Sequence, residues 1–144
     1  MEKDIVSIRF SLVADEWPID KFTEEIGIVP TEAYKIGDKY IRGTRERKRF
    51  ETVWELESGI MKISYTENEE KEFFESVINP LRPHIQLINE YKEKYHLTPI
   101  FFAHYIFYWA QTPGVRLHPE IITFAHQIGA IMDVYIDNIN DTKS

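Results

Sequence analysis

Between residues 5 and 13 the apolar side chains fall on every second position. Val6, Ile8, Phe10 and Leu12 share one side; Ser7, Arg9 and Ser11 share the other. A period of two marks a strand with one buried face, and aromatic and β-branched residues suit it. The alternation returns at residues 50–56, where Phe50, Thr52, Trp54 and Leu56 oppose Glu51, Glu55 and Glu57. It returns again at residues 130–139, where Met132, Val134 and Ile136 oppose Asp133, Tyr135 and Asp137. Residues 60–65 alternate as well and read as a hairpin partner beyond a Ser58-Gly59 turn. Short strands thus recur along the chain, and they need helices or a second layer to cover them.

The intervening segments carry helical spacing. Ile19, Phe22 and Ile26 follow a turn at Asp15-Glu16-Trp17-Pro18, with Asp15 as the expected cap, Pro18 in the first turn and Gly27 as the stop. Phe73, Phe74, Val77, Ile78 and Leu81 form one apolar stripe. Pro80 and Pro83 interrupt that region, which predicts a break at residues 79–82 and a second helix running to His96. Residues 28–37 hint at a short strand near Tyr34, and the charged residues 42–49 read as a loop around Gly43. Residues 100–109 are continuously apolar and aromatic, which predicts a strand covered on both faces, or one that is central. A turn at Thr112-Pro113-Gly114, a helix from His118-Pro119-Glu120 to Gly129 and a frayed polar tail complete the reading.

The expected fold is therefore one α+β domain over residues 1–144. It is a ferredoxin-like (split βαβ) two-layer sandwich with a mixed, mostly antiparallel sheet, helices on one face, and a C-terminal helix and strand extending the sheet. The 144 residues suffice for a single core. Apolar residues at 43% and charged residues at 28% match globular usage and exclude a wholly disordered chain. The longest apolar run falls short of the roughly 20 residues that cross a bilayer. No secretory leader is apparent, so a cytoplasmic protein without membrane contact is expected.

Chemistry-bearing patterns are sparse. With no cysteine, thiol catalysis, disulfides and thiolate metal sites are excluded. Phosphate-cradling glycine loops and nucleophile elbows are missing from the sequence, and no cofactor is expected. His118 and His126 stand two helical turns apart without an acidic cluster at metal spacing, and His104 reads as a sheet histidine. A net charge of −7 disfavours nucleic acid. Against that background Arg42, Arg45, Arg47, Lys48 and Arg49 crowd one window with Glu46 alone opposing them. This is either an anion-contacting loop or a solvated one, and the solvated account is the simpler. The acidic run Glu67, Glu69, Glu70, Glu72 and Glu75 suits a helix N-terminus and equally a face that meets a basic partner. Trp17 and Tyr40 fall outside the core periodicity and are candidates to line a groove beside the first helix. Asp38 joins them as a candidate contact residue.

Several short motifs recur in order: Phe10-Ser11-Leu12, Ile26-Gly27-Ile28-Val29-Pro30-Thr31, Lys35-Ile36-Gly37-Asp38, Trp54-Glu55-Leu56-Glu57-Ser58, Leu117-His118-Pro119-Glu120-Ile121, Ile128-Gly129-Ala130 and Asp133-Val134-Tyr135-Ile136. In these the chain resembles the bacterial domain-of-unknown-function family numbered 4279. The resemblance implies a compact α+β cytosolic domain, bacterial or phage-borne, of accessory and non-enzymatic type, and it carries across no catalytic residue. The functional expectation is a binding module with a protein partner, of immunity, antitoxin or anti-defence type. The alternatives are a sensor of a small anion at residues 42–49 and, last, a histidine–carboxylate hydrolase. If Tyr105, Phe107 or Trp109 reach an exposed sheet face, a homodimer through the sheet is expected.

Overall fold

The computed structural model describes residues 3–108 and 113–139. Trp109, Thr112 and the tail at 140–144 lie outside the described residues. In chain order the elements are β1 (Ile5–Ala14), α1 (Ile19–Ile26), β2 (Glu32–Tyr34), β3 (Lys39–Arg42), β4 (Arg45–Lys48), β5 (Thr52–Lys62), α2 (Glu69–Leu81), α3 (Ile85–Tyr95), β6 (Thr98–Phe107), α4 (Pro119–Gln127) and β7 (Ile131–Asn138).

A five-stranded sheet takes the order β2-β5-β1-β6-β7. Its β2–β5, β5–β1 and β1–β6 pairs are antiparallel, and β6–β7 is parallel. This is the expected mixed, mostly antiparallel α+β sheet, with the C-terminal helix and strand at one edge. β2, the first strand after α1, lies two places from β1 with β5 between them. Here β5 is the direct antiparallel neighbour of β1, and the β5-α2-α3-β6 connection is the crossover that straddles β1.

The core lies between one sheet face and the helices. Val6, Ile8, Phe10 and Leu12 are buried with Trp54, Phe101, Ala103 and Tyr105 from the neighbouring strands. Phe22 of α1 meets Trp54 and Tyr91 edge-on at 5.1 and 5.0 Å, and Phe74, Ile78 and Leu81 of α2 are fully buried. Tyr105 and Phe107 belong to this core, so neither provides the exposed dimer face considered above. Among the described residues no helix lies on the other sheet face. For that reason β6 alternates instead of being covered on both sides: Phe101, Ala103, Tyr105 and Phe107 are buried, while Phe102, His104 and Ile106 are only half-buried.

Four local expectations change. Ser58-Gly59 is a bulge within one long strand, not a turn. Ser7 pairs with Ile60 and Arg9 with Glu57, so Ser58 and Gly59 together oppose Ile8. The positive φ of Gly59 allows this, and Ser58 Oγ accepts the Ile8 N–H at 2.9 Å. Residues 60–62 therefore continue β5 and form no hairpin. Residues 42–49 are no open loop either; β3 and β4 pair as a hairpin closed at Gly43-Thr44. Asp15 does not cap α1. Pro18 occupies the cap position, and the Asp15 carbonyl accepts the Thr52 hydroxyl instead. The double proline acts nearly as expected: Pro80 sits in the last turn of α2, and the break is a 3-10 turn at Arg82–His84.

Candidate functional site

Because β1 is central, the residues on its helix-free side lie in the middle of the open sheet face. Ser7, Arg9, Ser11 and Val13 run along the floor of a shallow groove there. One part, about 260 Å³, is bounded on the hairpin side by Tyr34, Tyr40 and Arg49. The other, about 480 Å³, is bounded by Ile60, His104, Tyr135 and Asp137. Arg9 and Phe102 line both, which makes the groove continuous.

Strand register builds this lining. Arg9 stands opposite Phe102 of β6, and its guanidinium lies over that ring at 4.5 Å. Phe102 in turn stacks on Tyr135 of β7 with centroids 5.9 Å apart. Ser11 stands opposite Glu55 and donates to its carboxylate at 3.1 Å. Arg9 Nε approaches the same oxygen at 3.8 Å and, although buried, has no hydrogen-bond partner among the described residues. Glu55 is only 8% exposed. Burial pushes its carboxyl above the ordinary glutamate range, against the opposing pull of Arg9 and the Ser11 hydrogen bond. At the hairpin end the Arg49 guanidinium is held between Tyr34 and Tyr40, at 3.8 and 3.9 Å from their ring centres. Its only ion pair among the described residues is a long one to Glu32, at 3.5 Å. The Tyr34 phenol is raised, first by burial and then by Glu55. At the far end His104 Nε2 and Asp137 Oδ2 lie 2.8 Å apart, so Asp137 has a partner that spacing along its own strand did not reveal.

The candidate residues divide. Tyr40 and Arg49 line the groove. Arg42, Arg45 and Arg47 share one face of the hairpin with Tyr40, because Tyr40 pairs with Arg47 and Arg42 with Arg45. All three are exposed and none has an ion pair among the described residues. Lys48 lies on the opposite hairpin face with Lys39 and Glu46, which bridge at 3.4 Å. Asp38 supports the hairpin base and does not line the groove. Its carboxylate accepts the Lys35 N–H and its carbonyl accepts the Arg49 N–H. Trp17 is not a groove residue. It is buried at 6% exposure, and its indole N–H donates to the Thr52 carbonyl at 3.0 Å. Arg9, Glu55, Phe102 and Tyr135 were not anticipated as site residues. Arg9, Glu55 and Tyr135 alternate along their strands and Phe102 sits in a continuous apolar run, patterns that solvation or core packing already explains. Among the described residues no group of three or more His, Cys, Asp or Glu is placed to hold a metal, and no helix is long and apolar enough to cross a membrane.

The model of the family described as Domain of unknown function (DUF4279) matches residues 5–138. The chain belongs to the DUF4279 family. The match spans β1 through β7, so the groove lies wholly inside the family domain. No curated protein and no solved structure matches this DUF4279 chain.

Proposed function

We propose that this DUF4279 domain is a non-enzymatic binding module, acting in the bacterial cytoplasm, that recognises a protein partner on the open face of its sheet. The observation that carries the reading is the groove floored by Arg9 and Phe102, on a sheet face that no helix covers among the described residues. Arginine and aromatic side chains are the types enriched at protein interfaces, where they anchor most of the binding energy. Here they are preorganised by stacking, so little side-chain freedom is lost on docking. The partner reading extends to roles of immunity, antitoxin or anti-defence type. In such roles a shaped, unevenly charged surface suffices and no bond is made or broken. A cysteine-free chain suits a reducing compartment.

Co-purification from the native host tests this, with the wild type beside the double variant Arg9→Gln, Phe102→Ala. The wild type is expected to retain a stoichiometric partner that the variant loses while keeping its near-UV circular dichroism. A partner held equally by both proteins, or none held by the wild type, refutes the reading. A second reading, a sensor of a small anion, is favoured by Arg42, Arg45 and Arg47, whose charges face the groove side of the hairpin without ion pairs among the described residues. Thermal shift against phosphate and nucleotides addresses it, since saturating ligand raises stability.

A further inference from the structure

We infer that the groove takes an extended acidic segment of the partner, laid along β1 with a carboxylate between Arg9 and Arg49 and apolar side chains over Phe102 and Tyr135. This inference rests on the binding-module reading and names the chemistry of its occupant.

Three observations lead to it. The first is length. The groove floor runs from Ser7 to Val13, six residue steps of one strand. At about 3.4 Å per step this is roughly 20 Å. A peptide of about six extended residues covers that distance; a lone phosphate or carboxylate fills only one end of it.

The second is the state of the two guanidiniums. Both line the hairpin end of the groove, and both are fixed face-on by aromatic rings, Arg9 by Phe102 and Arg49 by Tyr34 and Tyr40. Stacking fixes the plane of a guanidinium and leaves its N–H edge to choose a partner. Among the described residues those edges meet only long contacts, 3.8 Å to Glu55 and 3.5 Å to Glu32. Two planar forks held in this way suit bidentate recognition of a carboxylate.

The third is charge distribution. Arg42, Arg45 and Arg47 lie on the Tyr40 face of the hairpin, exposed and without ion pairs among the described residues. In a chain of net charge −7 this strip repels basic partners and attracts acidic ones. Glu51 and Glu55 also line this end. Burial favours the neutral form of Glu55, and Arg9 stands beside it when it is charged. Excess positive charge therefore remains at the hairpin end.

The experiment is an amide-shift titration of the whole chain with four probes. They are a blocked hexapeptide of alternating Glu and Phe, its Lys-for-Glu counterpart, inorganic phosphate and adenosine monophosphate. The Glu-Phe peptide is expected to shift amides along β1 and β6, and to lose at least tenfold in affinity in both Arg9→Gln and the triple variant Arg42→Ser, Arg45→Ser, Arg47→Ser. The amide spectrum of each variant without peptide reports whether it is folded, and the triple variant changes only exposed side chains. Equal binding of the Lys peptide in the groove overturns the acidic assignment and leaves the binding-module reading standing. Shifts from phosphate or the nucleotide without shifts from the acidic peptide replace the peptide with a small anion. Groove amides silent to all four probes overturn the inference, while the co-purification experiment decides the reading beneath it.

Discussion

Glu55 is the residue whose chemistry is most altered by its position. Its neighbours on the open face of β5 are Val53, also buried, and Glu57, exposed. Alternation alone makes all such glutamates look solvated. Glu55 is buried because β2 pairs along one side of its strand and β1 along the other. No local pattern carries that information. The consequence is a pH dependence. Burial raises the native carboxyl above the ordinary range by more than Arg9 and Ser11 lower it. The folded protein therefore holds this proton where the unfolded chain has already released it. Stability from this group is complete below the unfolded value and declines as pH climbs toward the native one. Glu55→Gln cannot titrate. Between about pH 4 and 7 the wild type is expected to lose stability relative to this variant as pH rises. Urea midpoints at successive pH values measure it; an offset constant with pH refutes the assignment.

At the scale of elements, β1 and β7 were legible because alternation needs only the strand itself, and β6 because a continuous apolar run marks a strand inside a sheet. The hairpin β3–β4 and the length of β5 were not. Charges on both faces of residues 42–49 mimic a loop, since no buried face imposes a period there. Ser58-Gly59 mimics a turn because the left-handed conformation of Gly59 serves turns and bulges alike. Only the cross-strand partner decides between them, and that partner is Ile8, fifty residues away in sequence. The bulge has an energetic signature. Ile8 is fully buried, and its N–H uses the Ser58 hydroxyl in place of a strand carbonyl. Ser58→Ala leaves that N–H without its acceptor and is expected to cost about 1–3 kcal/mol. Ser58→Thr keeps the hydroxyl and is expected to restore most of it. Equilibrium denaturation of the pair measures both; equal losses would show that packing, not the hydrogen bond, secures the bulge.

At the scale of the whole molecule, strand order turned a readable pattern into a site that was not read. The polar residues of β1 suggested a wet face, and with β1 at an edge they would have been one. With β1 in the centre they become the floor of a groove, and Arg49, just beyond the hairpin, lines its end. The division of charge then separates structure from recognition. Arg49 is tied into the fold by two tyrosines and by backbone bonds with Gly37 and Asp38. Arg42, Arg45 and Arg47 contribute no ion pair to it among the described residues. Substituting these three together with serine is expected to change stability by no more than about 0.5 kcal/mol per site, as exposed positions do. The same change removes positive charge from the docking end. Partner association should slow, and its dependence on ionic strength should weaken, because screening acts on long-range attraction. Stopped-flow association at low and physiological salt separates the two roles. A large fall in melting temperature with an unchanged salt slope would make the arginines structural and move recognition to Arg9 and the aromatic end of the groove.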